Sequence, residues 1–239
     1  MTAVETMPTP APGAFGTAEL VTAAKLPPAQ AQGVFRAVLD ALARPGTVIR
    51  FPVDVPDEVP PALLPVLALA DLGTGICVLE EDGAPCWSDV VSVATDAPAV
   101  PLEKARLAGA VRPVVPQEIL RLARGTADAP EDGAVLCLPV TALEGGPVKW
   151  RLSGPGVPGE RDVAPQGVPD GFVEARAAAV GGFPTGADLL LAAPDGRVMG
   201  LPRSTTVTVL AEAGAGAGAA TEAEAAADAM TTAVSEEEN

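Results

Sequence analysis

Between Ala187 and Leu201 the chain reads ADLLLAAPDGRVMGL, two apolar stretches joined by Pro194-Asp195-Gly196. Proline, aspartate and glycine between two such runs specify a reversal, because glycine accepts the positive φ that a tight turn needs. The segment therefore reads as a β-hairpin of Ala187–Ala193 and Arg197–Leu201. Ala134–Val140 is a continuous apolar run, the pattern of a central strand. Val148–Leu152 alternates, with Val148, Trp150 and Leu152 on one side and Lys149 and Arg151 on the other, as in a half-buried strand. Shorter strands are expected at Thr47–Phe51, Ile76–Leu79, Val111–Val115 and Thr205–Leu210.

Helical periodicity interleaves with these strands. Gln30–Ala43 places Val34, Phe35, Val38, Leu39 and Leu42 on one face and stops at Pro45-Gly46. Pro61–Leu72 and Asp170–Val180 read as helices, and Pro116–Ala123 carries proline in its first turn, where the missing N–H costs nothing. Helices and strands alternate without strict βαβ repetition. The expected fold class is α/β, a mixed β-sheet flanked by helices.

Both ends differ in composition from this middle. Residues 1–26 are rich in Pro, Thr and Ala and are expected to form a flexible leader. Residues 211–239 are Ala/Gly/Glu-rich, with seven acidic groups and no basic ones, and are expected to be a disordered acidic tail. The folded unit is then a single domain over 27–210. Aromatic residues are only 3% and tyrosine is absent, so the core must be built from Val, Leu, Ala and Ile.

The net charge of −16 remains near −9 without the tail, 24 acidic against 15 basic residues, and the arginines are dispersed. Such a chain repels phosphate backbones, so nucleic-acid binding is not expected. Cys77, Cys86 and Cys137 form no CxxC pair, and no basic region precedes an apolar stretch at the N-terminus. These features point to a reducing, cytoplasmic setting. The apolar run near Ala62–Ala70 is too short to cross a bilayer, so no membrane span is expected.

Several chemistries are excluded outright. With no histidine there is no Ser-His-Asp or Cys-His relay and no imidazole metal site, and no lysine follows a glycine as a phosphate loop demands. Gly154–Gly159 matches G-x-G-x-x-G, but Pro155 and Pro158 occupy it and no helix follows, so it reads as a tight turn. The clusters at Glu80-Glu81-Asp82-Gly83, Glu131-Asp132-Gly133 and Asp195-Gly196 read as strand-edge turns, and no metal site is expected. One string has phosphate potential: Arg203, Ser204, Thr205 and Thr206 set a guanidinium beside three hydroxyls. The competing role for Arg203 is pairing with an acidic neighbour, while the threonines serve the last strand.

Five strings, in order, resemble the PhnH family of carbon–phosphorus lyase subunits. They are Gln32–Arg36 running into Ala43-Arg44-Pro45-Gly46, then Leu69–Leu72 with Thr74, then Gly125-Thr126 with Pro130–Ala134, then Arg151–Val157, and finally Phe183–Thr206. The last, FP-x-G-x-D followed by a strand, a turn and LPRSTT, is the most specific. The chain departs from the pattern at Val207, where the family commonly has histidine, and in its acidic tail.

The resemblance implies a fold similar to PLP-dependent transferases but without the cofactor, so no cofactor is expected. It also implies a homodimer that joins PhnG, PhnI and PhnJ-type subunits. Their complex would transfer a phosphonate onto the ribose C1 of ATP with adenine release, forming α-D-ribose 1-methylphosphonate 5-triphosphate in organic phosphonate catabolism. Within it this chain would be an accessory subunit. The alternatives are a stand-alone PLP-type transferase, whose Schiff-base lysine must be Lys25, Lys104 or Lys149, and a non-catalytic protein using the tail as an interaction arm.

Overall fold

The computed structural model describes residues 17–52, 58–81 and 86–210. In chain order the helices are α1 (Thr17–Ala24), α2 (Pro28–Ala43), α3 (Leu64–Leu69), α4 (Trp87–Thr95), α5 (Pro116–Arg121) and α6 (Phe172–Val180). The strands are β1 (Ile49–Arg50), β2 (Ile76–Leu79), β3 (Leu107–Ala110), β4 (Val135–Pro139), β5 (Lys149–Ser153), β6 (Glu160–Val163), β7 (Asp188–Ala192), β8 (Arg197–Leu201) and β9 (Thr206–Leu210). By internal contacts the chain divides into Met1–Val209 and Leu210–Asn239. Apart from Leu210 itself, the second unit lies outside the described residues, as does the expectation of a disordered tail.

The main sheet has the order β1-β8-β7-β4-β3-β2. Strands β2, β3, β4 and β7 run parallel, while β8 and β1 are antiparallel additions at one side. The sheet is mixed, as expected from an apolar hairpin joined to apolar single strands. Successive residues of β4 and β7 point to opposite faces, and both faces are buried. Cys137, Leu190, Ala192 and Val198 join one core with α1, α2, α3 and α4. Leu136, Leu138, Leu189, Leu191 and Met199 join the other, with α5, α6 and a second sheet of order β6-β5-β9. In this second core Trp150 of β5 stacks on Phe172 of α6, centroids 5.4 Å apart and planes 6° apart.

Two strand glycines set how closely helices approach. A Cβ on Gly200 would stand 2.3 Å from the Ala41 carbonyl oxygen, and one on Gly109 would stand 2.7 Å from Leu63. Helix α2 therefore lies directly on β8, and the turn before α3 lies on β3. This closeness corrects the expected face of α2. Val34, Ala37, Val38 and Ala41 are buried, whereas Phe35 and Leu39 are exposed, because a helix seated on backbone turns its small side chains inward.

Other corrections have equally local causes. Thr17–Ala24, inside the expected leader, is helical and buries Leu20 and Ala24, so folded structure is already present before Pro27; residues 1–16 lie outside the described set. Val111–Val115 is not a strand. The strand is Leu107–Ala110, a weak β-former placed by pairing with β2 and β4 on either side. Helix α4 was not expected, since Val90, Val91, Val93 and Thr95 are β-branched. Its amino end is held by Glu80, whose carboxylate accepts from the Trp87 N–H (2.6 Å) and the Ser88 N–H (3.4 Å). The glycine-rich Gly154–Gly159 is the turn between antiparallel β5 and β6, as expected, and the Pro194-Asp195-Gly196 hairpin joins β7 to β8.

Candidate functional site

Loop 202–205, between β8 and β9, and helix α6 form the wall of a cleft of about 460 Å³. Arg203, Ser204, Thr205 and Thr206, the four residues singled out in the sequence, all line it, together with Arg176, Phe183 and Pro155. Leu201 of β8 pairs beside Leu189 of β7. The cleft thus lies where β7 begins, at the amino ends of the parallel strands. At the opposite end Arg112 ties the loops after β2 and β3 to α5. It donates to the Glu80 carbonyl (3.2 Å) and to both oxygens of Glu118 (2.5 and 3.1 Å).

Arg203 is not a free guanidinium. Asp188 accepts from its backbone N–H (2.7 Å), from Nε (3.2 Å to each oxygen) and from Nη2 (2.7 Å), and Nη1 donates to the Pro130 carbonyl (2.6 Å). Both side chains are mostly buried, 14% and 17% exposed. The pairing role anticipated for Arg203 is the one found. It also explains why separate strings of the sequence belong together. A Cβ on Gly133 would stand 2.8 Å from both Nη atoms of Arg203 and 2.2 Å from the Gly186 carbonyl. The Pro130–Ala134 string, the FP-x-G-x-D string and the LPRSTT string meet around this one guanidinium. The Arg151–Val157 string closes the group. Gly154 leaves space for the Ser204 carbonyl, and Gly156 for that of Ala43.

The residue that sequence reading missed is Arg176. Helix α6 buries Phe172, Ala175, Arg176 and Ala179, so an arginine occupies its core-facing stripe and is only 2% exposed. The available signal was a charge at the i+4 position of that stripe, where an apolar residue is the rule. Its Nη2 donates to the Pro202 carbonyl (2.6 Å) and the Thr205 carbonyl (2.9 Å), holding loop 202–205 in place. Its Nε and the Oγ1 of Thr205 are buried without partners. Each unsatisfied buried polar group costs about 1–3 kcal/mol. Desolvation lowers the Arg176 pKa to about 10, which Asp188 partly opposes, so the group remains a cation at neutral pH. Asp188 is already engaged by Arg203. Among the described residues no carboxylate lines the cleft, and the described wall carries net positive charge.

The acidic turn clusters have structural roles where they are described. Glu80 caps α4, Asp132 pairs with Arg106 (2.7 Å), and Asp195 accepts from the Arg197 N–H (3.1 Å) and Nε (2.6 Å). Among the described residues no group of three His, Cys, Asp or Glu side chains is placed to hold a metal. No described helix is long and apolar enough to cross a membrane. Lys149 lines a separate cleft of about 280 Å³ with Glu144 and Asp162.

Fold and cleft together define a mixed α/β protein in which, among the described residues, one buried cation without a carboxylate partner lies against a loop of hydroxyls. A family model described as bacterial phosphonate metabolism protein (PhnH) matches residues 22–208, and the chain belongs to that family. A relative from Rhizobium meliloti (strain 1021) is 36% identical over 188 residues, covering 74% of this chain and 89% of the relative. That protein is named alpha-D-ribose 1-methylphosphonate 5-triphosphate synthase subunit PhnH.

Proposed function

We propose that this chain is a subunit of an α-D-ribose 1-methylphosphonate 5-triphosphate synthase, acting in organic phosphonate catabolism. In this role it supports transfer of a phosphonate onto the ribose C1 of ATP with release of adenine. The observation that carries the reading is the 36% identity, spread over 89% of a relative that bears that subunit's name. The family match over residues 22–208 likewise takes in elements of both cores, and not one motif alone.

Its partners in this reading are a second copy of the chain and PhnG, PhnI and PhnJ-type subunits. Exposed apolar side chains support partner contacts: Phe35 and Leu39 stand one turn apart on α2, and Val209 lies on β9, an edge strand without charges. The likeness to the PLP-dependent transferase fold, which the family resemblance implies, belongs to the same proposal. A chain of this kind contributes surface and positioning rather than the chemical step.

Co-expression with PhnG, PhnI and PhnJ-type subunits tests it. One affinity tag on this chain is expected to retrieve all of them in constant proportion through gel filtration. Elution of this chain by itself, with the other subunits assembling without it, would sink the subunit role.

A further inference from the structure

The wall of the cleft beside α6 carries two guanidinium groups, and the carboxylate paired with one of them, Asp188, is outside its lining. Asp188 is saturated by Arg203, and Arg176 spends Nη2 on the carbonyls of Pro202 and Thr205. Left over are the charge of Arg176, its Nε and the hydroxyl of Thr205, buried and without protein partners. Ser204 and Thr206 add hydroxyls to the same wall. Fold stability does not account for this arrangement, because the loop is already held by Nη2 and by the Thr205 N–H, which donates to the Pro202 carbonyl (2.9 Å). An oxyanion supplies what is missing: a compensating charge and several acceptor oxygens at once. The rest of the lining is apolar. Val173, Ala177 and Val180 form a stripe along α6 and Phe183 flanks it, 68% exposed. That surface suits a carbon substituent rather than a second charge.

We propose that this cleft binds a tetrahedral oxyanion of the phosphonate or phosphate-ester class, with its head at Arg176 and Thr205 and its apolar substituent along Val173, Ala177 and Val180. Arg203 is then a positioning residue, which sets the loop through Asp188 and keeps the carboxylate away from the ligand. The site stands on this chain's own residues and does not depend on the subunit role.

The full-length chain is titrated at constant ionic strength with inorganic phosphate, propylphosphonate and ATP, by calorimetry and phosphorus NMR. Propylphosphonate is expected to bind saturably and at least threefold more tightly than inorganic phosphate. Tighter binding of ATP than of propylphosphonate would place the head group on a nucleotide, and the reverse order on a free phosphonate; both uphold the site. Thr205→Val keeps the shape and removes one hydroxyl, and is expected to weaken binding about fivefold. Ala177→Phe fills the cleft without touching a polar group and is expected to abolish binding. Arg176→Met is expected to abolish it as well, and Arg176→Lys to restore part of it. If Arg176→Met does not fold, the other two positions carry the test. Absence of saturable binding by the unaltered chain, or binding unchanged in both Thr205→Val and Ala177→Phe, overturns the proposal. Co-purification is measured separately, so a chain that assembles but binds no oxyanion loses this site and keeps its subunit role.

Discussion

Asp188→Asn addresses the buried pair on which the loop 202–205 depends. Asparagine keeps an oxygen for the Arg203 N–H, which lies 2.7 Å from Oδ1. It also places an NH₂ donor where Nη2 already donates at 2.7 Å, so two donors face each other. Removing one partner of a buried ion pair costs about 3–5 kcal/mol. Here the lower end applies, because the two side chains keep 14% and 17% exposure and Nη1 retains the Pro130 carbonyl. The expected loss is about 3 kcal/mol, or about 6–12 °C in Tm for a domain of this size. The field that favours the charged form of Arg176 is lost as well. Urea unfolding followed by the fluorescence of Trp87 and Trp150 measures the loss as a lower midpoint at unchanged slope. The double variant Asp188→Asn/Arg203→Met removes the stranded charge and is expected to recover part of the stability. A loss below about 1 kcal/mol in the single variant, or strict additivity in the double, would show that the pair behaves like a surface contact and refute the reasoning.

Other outcomes follow from single contacts. Gly200→Ala is expected to cost about 3 kcal/mol, since its Cβ would meet backbone of α2 at 2.3 Å. Gly159→Ala, with φ +69° and open space around it, is expected to cost about 1 kcal/mol, and equal losses in denaturant titrations would contradict the packing account. The hydrogen bond from Arg112, more than burial can offset, holds the Glu118 carboxyl below the ordinary value of 4.5. A depressed carboxylate stabilises the fold above its unfolded pKa, and that stability fades as pH falls through the folded value. Glu118→Gln is therefore expected to cost about 2 kcal/mol at neutral pH and progressively less in acid. A constant difference across that range would show that the charge is not the source. Among the thiols, Cys86 is exposed, Cys77 is half-buried, and burial pushes the Cys137 thiol well up. A thiol reagent is expected to label Cys86 first and Cys137 only after unfolding, and rapid native labelling of Cys137 would contradict the buried central strand.

Legibility in the sequence followed the size of the local signal. The hairpin at Pro194-Asp195-Gly196 and strand β4 were readable because turn chemistry and an unbroken apolar run are properties of neighbouring residues. Strand β3 was hidden because Leu107–Ala110 is a strand only by virtue of β2 and β4 at its sides. Helix α4 was hidden because its cap, Glu80, is seven residues before Trp87. For the cleft, the hydroxyls and Arg203 stood together in one string. Arg176 lies 27 positions before Arg203, and nothing local ties it to them.

By itself the sequence determined the mixed α/β class, the family, and the absence of histidine-based chemistry, since composition and short motifs survive without coordinates. Only the tertiary structure decided which arginine is committed and which is left over. Arg203 and Arg176 carry the same group, and a guanidinium is structural or available according to the carboxylates brought beside it. Chain topology brings Asp188 to Arg203, and leaves the buried charge of Arg176 beside an open cleft.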